Sequence, residues 1–212
     1  MPRITKKTGA YHHGDLRRVL LETAVRVVEK EGVAALSLNA LSRRAGVSSG
    51  APYHHFESRE QLLAAIAEQG FELLVAEMQR ATDAAAGDAR AHLEAIGRGY
   101  IRFALAHRGH FRVMFRPELL TQLGKERKEG VSADAFLVLQ RAVERCQADG
   151  LAPPGDPVPL ILLAWSAVHG ASALWIDGSL CNEGLVENEE ALATTVAGTV
   201  VDLFARAAVK SA

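Results

Sequence analysis

A glycine and a proline six positions apart, Gly46 and Pro52, constrain this chain more than any other feature. Glycine ends helices because it adopts a left-handed backbone at little cost. Proline lacks an amide hydrogen, so a helix tolerates it only in the first turn. One helix therefore ends at Gly46 and another begins just before Pro52. Two short helices so closely joined, at 37–45 and 49–56, predict a helix-turn-helix motif over residues 37–56.

The segments on either side of this turn also carry helical patterns. Asp15 can cap a first helix, and Gly32 can end it in a left-handed conformation. Ser37 can cap the second helix, and Ser58 with Gln61 forms a capping box that begins a long helix. Breaks containing glycine or proline divide the rest of the chain into helices predicted at 88–107, 109–115, 131–149, 157–178 and 188–208.

Composition and charge agree with a helical chain that has a basic N-terminal part. Apolar residues make up 49% of the chain and aromatic residues 6%, and alternating β-branched runs are nearly absent, which favours helix over sheet. Residues 1–56 carry nine Lys and Arg against four Asp and Glu, whereas the rest carries fifteen against twenty-one. A basic head on an acidic body is typical of proteins that bind nucleic acid. Residues 1–13 are predicted to form a disordered basic arm.

The residues around the turn have the chemistry that a DNA-reading helix needs. Small side chains at 48–51 let the backbone approach DNA, and the free amides at a helix N-terminus favour phosphate. Tyr53 and the two histidines after it can hydrogen-bond phosphates or base edges. Phe56 is expected to anchor this segment in the small core. Arg59, at the start of the next helix, is expected to meet the DNA backbone.

This stretch resembles the signature of the TetR family of transcription regulators. The resemblance covers about residues 14–74 and is carried by Leu36-Ser37-Leu38, by Ala45-Gly46-Val47-Ser48-Ser49-Gly50-Ala51-Pro52-Tyr53-His54-His55-Phe56 and by Glu57-Ser58-Arg59-Glu60-Gln61-Leu62. It implies an all-α fold, with a three-helix DNA-binding head at 14–74 and a larger helical ligand-binding and dimerisation body at 75–212. It also implies a homodimeric regulator, most often a repressor, whose partners are double-stranded operator DNA and a small-molecule effector.

Several positions are candidates for DNA contact. We expect contacts from Ser37, Ser48, Ser49, Ala51, Tyr53, His54, His55 and Arg59. Tyr53 could instead be a semi-buried strut, His55 could pack in the helix, and Ser37 is first of all a cap. Glu57 departs from the family pattern, which often has lysine or another non-acidic residue at this position. Because an acidic group near phosphate weakens the contact, Glu57 is left out of the site.

The body carries Trp165, His169 and Gly170, which resemble the Trp-His-Gly signature of a TetR subgroup. In that family the last two helices of each subunit pair across a dimer interface. Interface positions are predicted at Leu163, Ala167, Leu174, Leu192, Val196, Val200, Leu203 and Phe204. A mostly apolar effector is predicted to bind among Phe103, His107, Phe111, Met114, Phe115, Phe136, Trp165 and His169, although each of these could be an ordinary core residue.

Other classes of function find less support. The spacing of Cys146 and Cys181 fits no metal site, so we interpret them as free thiols in a reducing cytoplasm. No phosphate loop, nucleophile elbow or zinc-protease helix accompanies the histidines, so neither catalytic residues, a metal nor a cofactor is expected. The apolar run 160–176 is interrupted by polar residues and is interpreted as a buried helix, without a membrane partner. The alternatives are an architectural DNA-binding protein, or a dimeric ligand-binding or interaction protein with a degenerate head.

Overall fold

The computed structural model describes residues 13–116 and 131–211, and all regular secondary structure within these ranges is helical. This confirms the predicted all-α class. Residues 1–12 of the arm predicted at 1–13, and residues 117–130, lie outside the described residues. The α-helices are α1 (His13–Glu31), α2 (Leu38–Ala45), α3 (Arg59–Ala84), α4 (Ala89–Ala106), α5 (Arg108–Met114), α6 (Val131–Ala148), α7 (Val158–Ile176), α8 (Ser179–Asn182) and α9 (Glu189–Ser211). Two 3₁₀ helices, Val33–Ala35 and Ala51–His54, connect the helices of the head.

The helices of the body begin and end close to their predicted bounds because their caps are local. Asp88 accepts a hydrogen bond from the Ala91 amide at 3.0 Å at the start of α4. Asn188 accepts one from the Ala191 amide at 2.9 Å at the start of α9. A short polar side chain before an apolar stripe satisfies amides that the helix leaves unpaired.

Two predicted details of α1 were wrong. The helix begins at His13, so Asp15 lies inside its first turn instead of capping it. Gly32 has φ 82° and ψ 166°, a positive φ with an extended ψ, and therefore not the left-handed helical conformation. Gly46 does adopt that conformation after α2, with φ 68° and ψ 31°. Only glycine populates both regions at little cost.

Helix α3 belongs to the head and to the body at once. It has 26 residues, and its buried side chains run from Leu62 at the head to Met78 in the body. One hydrophobic cluster includes residues of α1, α2, α3, α4 and α5. The predicted division of the chain at residue 74 falls inside this unbroken helix, and it stays a prediction.

Helix α4 is the central element of the body. Its N-terminal half shares a second hydrophobic cluster with α6, α7 and α9, which includes Leu93, Val143, Ile161 and Phe204. A Cβ atom at Gly97 would lie 3.0 Å from the Ala197 Cβ, so α4 and α9 cross closely there.

Ion pairs also hold α9 against α4 and α5. Arg102 donates to Glu190 at 2.8 Å, and Arg108 donates to Glu189 at 2.9 Å. The hydrogen bond from Arg102 lowers the pKa of the Glu190 carboxyl below its usual value. These pairs are half exposed, so each stabilises the fold only modestly.

Helices α7 and α9 are long and apolar. By length and composition alone, Val158–Ile176 and Glu189–Val209 could each cross a membrane. Only part of each is buried in the protomer, and several large apolar side chains remain exposed.

Candidate DNA-binding face and ligand cavity

The start of α2 is fixed by Ser37. Its hydroxyl accepts a hydrogen bond from the Ala40 amide at 3.1 Å, which confirms the predicted cap. At the other end, the Val47 amide donates to the Ser42 carbonyl at 3.0 Å, which closes the turn after Gly46. Both terminal nitrogens of the Arg44 guanidinium donate to the Glu31 carboxylate, one of them at 2.7 Å, and this pair connects α2 to the end of α1.

The segment expected to read DNA is shorter than predicted. A helix over 49–56 was expected, whereas a 3₁₀ helix spans Ala51–His54. The Tyr53 amide donates to the Gly50 carbonyl at 3.1 Å, and the His55 amide donates to the Pro52 carbonyl at 3.0 Å. In both bonds the carbonyl lies three residues before the amide, which is the spacing of a 3₁₀ helix; in an α-helix it lies four residues before.

Exposure divides the predicted DNA-contact residues. Ser37, Ser48, Ser49, Tyr53 and His54 are exposed, and the exposed fraction of Tyr53 is 49%. Ala51 and His55 are half-buried. Phe56 is 1% exposed, and the Arg17 guanidinium lies 5.4 Å from its ring centroid. Phe56 is thus the anchor of this segment, which leaves Tyr53 and His54 outside the core.

Arg59 makes hydrogen bonds inside the head, and its contact with DNA stays a prediction. Its Nε donates to the Leu36 carbonyl at 2.8 Å, and a terminal nitrogen donates to the Val33 carbonyl at 2.9 Å. Both carbonyls belong to the connection between α1 and α2. The guanidinium therefore satisfies backbone acceptors inside the head, which is a structural role.

The predicted capping box at the start of α3 is present with one difference. Ser58 accepts a hydrogen bond from the Gln61 amide at 3.2 Å, as expected. The Gln61 side chain accepts from the Glu57 amide at 2.6 Å, one residue before the capping serine. Glu57 therefore serves the start of α3 through its backbone.

The body encloses a cavity of about 660 Å³ between α3, α4, α6, α7 and α9. Its lining is mostly apolar, with Phe71, Ile96 and Val168 on three different helices. No charged side chain is present among the described residues that line it. A second cavity of about 290 Å³ lies beside it, and Phe115 lines both.

The predicted ligand-contact residues fall into three groups. Phe115, Phe136 and Trp165 line the large cavity, while Phe111 and His169 line the small one. Phe103, His107 and Met114 line neither of these two cavities, and their contact with a ligand stays a prediction. Phe103 and Met114 are core residues, 0% and 1% exposed. The His107 amide caps α4 by donating to the Phe103 carbonyl, and the two rings lie 5.4 Å apart.

Tyr100 is one of the cavity residues that the sequence did not predict. Its hydroxyl lies 2.8 Å from Nδ1 of His169, and Phe115 packs edge-on against the same imidazole at 4.7 Å. Burial raises the pKa of the Tyr100 hydroxyl, and the Trp165 indole opposes that rise. Burial lowers the pKa of His169. Tyr100 lies 69 residues from His169 in the chain, so no local pattern could pair them.

Helix α5 connects the cavities to the head. Phe111 lines the small cavity, while a Cβ atom at Gly109 would lie only 2.7 Å from the Val25 carbonyl oxygen of α1. Arg112 donates to the Glu29 carbonyl at 2.9 Å, near the end of α1. One short helix therefore touches both the cavity wall and the DNA-binding head.

Comparison with known families agrees with both parts of the molecule. Residues 20–66 match the family described as bacterial regulatory proteins, tetR family, and residues 93–200 match the tetracyclin repressor-like C-terminal domain. The chain belongs to the TetR family. It is therefore a DNA-binding transcription regulator of the repressor type, and not an enzyme.

Solved structures show the same TetR architecture. A protein of unknown function from Rhodococcus sp. RHA1 is 36% identical, with a TM-score of 0.75, over 92% of this chain and 98% of that one. The TetR regulator PfmR from Thermus thermophilus is 20% identical, with a TM-score of 0.67, over 86% of this chain and 97% of that one, and shares the fold.

A curated TetR-type relative matches over a much shorter stretch. The HTH-type transcriptional regulator BetI from Rhizobium meliloti (strain 1021) is 41% identical over 49 residues. That stretch is 23% of this chain and 24% of BetI, so the match spans about a quarter of the relative. Its likeness is confined to that quarter.

The predicted dimer positions of this TetR protein need correction in part. Leu192, Val200 and Phe204 are 1%, 6% and 1% exposed because they pack inside the protomer. Leu163, Leu174 and Leu203 are 45%, 48% and 46% exposed. Ala167 and Val196 are half-buried. Only the exposed and half-buried positions have surface to offer to a second copy.

Proposed function

We propose that this TetR regulator is a homodimeric repressor that leaves its operator when a small, mostly apolar ligand binds in the body. The observation that carries the proposal is the position of α5. Phe111 of α5 lines the small cavity, and Phe115, the residue directly after α5, lines both cavities. Gly109 of α5 packs against α1 of the head. A ligand that displaces the aromatic end of α5 therefore acts on a helix in van der Waals contact with the head.

The cavity supports a ligand of ordinary small-molecule size. About 660 Å³ lies within the range of roughly 300–1,000 Å³ that small-molecule sites occupy. The apolar lining favours an apolar ligand through the hydrophobic effect. A difference of about 1–3 kcal/mol between the DNA affinities of the free and ligand-bound forms is enough for a 5–150-fold release.

For DNA contact we retain the exposed and half-exposed residues of the head. These are Ser37, Ser48, Ser49, Ala51, Tyr53, His54 and His55. This choice is supported by the burial of the segment. Phe56 and Pro52 are buried and hold the segment against the core, whereas the small residues at 48–51 and Tyr53 stay accessible. Phosphate contacts position the protein, and contacts to base edges give specificity.

A homodimer is supported by the exposed apolar surface of α7 and α9. Leu163 and Leu174 on α7 and Leu203 on α9 are each close to half exposed, more than their size favours in water. Two copies that pair these helices bury that surface. A two-fold dimer also places two heads about one DNA turn, ~34–36 Å, or a multiple, apart.

The proposed regulator works in the cytoplasm and associates with the nucleoid through its operator. The test is fluorescence anisotropy of the purified dimer on duplexes that tile the DNA upstream of its own gene, with excess random competitor. We expect tight, competitor-resistant binding to one tile, which weakens as salt rises because phosphate contacts release counterions.

Tyr53→Ala is the variant that tests the DNA-binding face. It should lose about 10-fold or more in operator affinity, with an unchanged melting temperature because Tyr53 is exposed. Weak binding to every duplex, including those from a random-library selection, would favour the alternative of a dimeric ligand-binding protein with a degenerate head.

A further inference from the structure

Aromatic side chains are concentrated on the wall of the large cavity. They make up 6% of the chain but five of the twenty described residues that line this cavity. Each of the five comes from a different segment: Phe71 from α3, Tyr100 from α4, Phe115 directly after α5, Phe136 from α6 and Trp165 from α7. Rings therefore line the cavity on several sides instead of forming a stripe along one helix.

Four of these rings form one connected surface. The ring centroids of Phe71 and Phe115 lie 5.6 Å apart, and those of Phe115 and Trp165 lie 6.1 Å apart. Tyr100 joins them through the imidazole of His169, whose centroid lies 6.3 Å from the Tyr100 ring and 4.7 Å from the Phe115 ring. Aromatic rings attract one another over roughly 4.5–7 Å. Because these rings already hold each other in place, they lose little freedom when a ligand packs on them.

The fifth ring, that of Phe136, stands apart from this surface. No aromatic ring in the described part of the chain pairs with it, and Phe136 is 42% exposed. A molecule that fills the cavity can contact the connected rings and also give Phe136 a partner. Each aromatic pair contributes roughly 2- to 10-fold in affinity beyond the area that it buries. An aliphatic molecule of the same shape gains the buried area alone.

We propose that the effector is a neutral molecule with more than one aromatic ring. This inference rests on the proposed ligand binding in the same cavity. The lining on α4 extends from Leu93 to Tyr100, about 10 Å of helix axis, which is longer than one benzene ring. Ring faces also attract cations, but no carboxylate lines the described part of the cavity to neutralise a buried positive charge.

Calorimetric titration of the purified protein with four probes tests this selectivity. Diphenylmethanol and dicyclohexylmethanol share one skeleton and one hydroxyl and differ in aromaticity; n-decanol is linear, and tetraethylammonium is a cation without a ring. Dividing the association constant of each alcohol by its octanol–water partition coefficient removes the general hydrophobic effect. This ratio should be about 10-fold higher for diphenylmethanol than for the other two alcohols. Equal ratios, or tetraethylammonium binding as tightly as diphenylmethanol, would overturn the proposal.

Phe136→Leu separates ring contacts from simple packing. The side chain is partly exposed and stays apolar, so the variant should fold. It should bind diphenylmethanol roughly 2- to 10-fold more weakly and dicyclohexylmethanol within about 2-fold of the wild type. Trp175→Leu is the matched control, since this half-buried ring lines neither of the two cavities, and it should leave both affinities unchanged. If Phe136→Leu weakens both alcohols by the same factor, the ring contact is wrong.

Operator anisotropy on the same samples distinguishes this inference from the proposed function. If dicyclohexylmethanol or n-decanol matches diphenylmethanol and still releases DNA, the aromatic class is wrong and the ligand-responsive repressor stands. If no probe binds while the operator is bound tightly, the inference is overturned, and so is the apolar-ligand part of the proposed function. If no duplex is bound, the operator-binding part fails, and the calorimetric ratios alone decide the aromatic class.

Discussion

At the residue scale, Arg59 shows how a side chain in a DNA-binding motif can serve the fold instead. It occupies the first position of α3, where the sequence predicts a contact between its guanidinium and the DNA backbone. Two of its donors nevertheless bind the carbonyls of Val33 and Leu36. Charge-assisted bonds to partly buried carbonyls stabilise the connection between α1 and α2.

We therefore predict that Arg59→Gln destabilises the head without removing a phosphate contact. The expected loss is about 1–3 kcal/mol of unfolding free energy, measured by chemical denaturation. At a temperature where the variant is folded, the slope of operator affinity against salt concentration should match that of the wild type. Arg43→Gln, at an exposed residue of α2, is the matched control and should leave stability within about 0.5 kcal/mol. A salt slope smaller by about one in Arg59→Gln would instead show a phosphate contact.

His110 gives the pH dependence of stability a definite sign. It is 8% exposed, its Nε2 lies 3.1 Å from the Gln69 side-chain oxygen, and its Nδ1 has no partner. Burial, helped by the nearby charge of His107, lowers its pKa from 6.5 to about 4. Between about pH 6.5 and pH 4, the unfolded chain therefore binds a proton at His110 that the folded protein does not bind. The stability from neutral His110 is complete above pH 6.5 and is lost as the pH falls towards 4.

The test compares melting temperature against pH for the wild type and for His110→Leu. The wild type should lose roughly 1–3 kcal/mol over this interval through His110. The variant should lose less, while retaining the smaller fall that His169 causes in the same direction. Identical slopes for the two proteins would show that His110 titrates normally in the fold.

Some residues could be predicted from the sequence because their role is local. Ser37 and Ser58 cap helices through bonds to amides three residues ahead, and Gly46 ends α2 through its own backbone. The roles of Arg59 and Tyr100 depend on partners 23 to 69 residues away in the chain. Periodicity shows that a side chain faces inwards, but not whether it meets a cavity wall or solid core.

At the element scale, α5 is the smallest piece that joins the two functions. Its seven residues pack on α1 through Gly109, where any larger side chain collides with the Val25 backbone. Its predicted bounds, 109–115, lie within one residue of those observed. Its contacts with α1 could not be predicted, because they depend on how two helices far apart in sequence meet.

We predict that Gly109→Ala pushes α5 away from α1 and changes the orientation of the head relative to the body. The added Cβ would lie 2.7 Å from the Val25 oxygen, which belongs to the backbone and cannot rotate away. The variant should lose about 1–3 kcal/mol of stability and also bind the operator more weakly while folded. Gly198→Ala in α9 is the matched control, since nothing lies within 4 Å of its Cβ position. Unchanged operator affinity in a folded Gly109→Ala protein would remove α5 from the coupling route.

At the scale of the whole molecule, the exposed leucines of α7 and α9 predict the oligomer. Leu163→Glu and Leu203→Glu each place a charge on the proposed interface, and light scattering should show a monomer with weakened operator binding. Leu185→Glu, at a 70% exposed leucine in the turn before α9, is the control and should remain a dimer. A dimer that persists in both interface variants would place the interface elsewhere. Val200 is unsuitable for this test, because a charge there enters the protomer's own core.

The continuity of α3 has a practical consequence for protein engineering. Each residue inserted into a helix turns everything beyond it by about 100° and advances it by about 1.5 Å. A hybrid that joins this head to another body must therefore keep the register of α3 between Leu62 and Met78. A single added or deleted residue would point a well-folded head away from its half of the operator. A shift of about seven residues, nearly two full turns, would almost restore the direction of the head but not its distance.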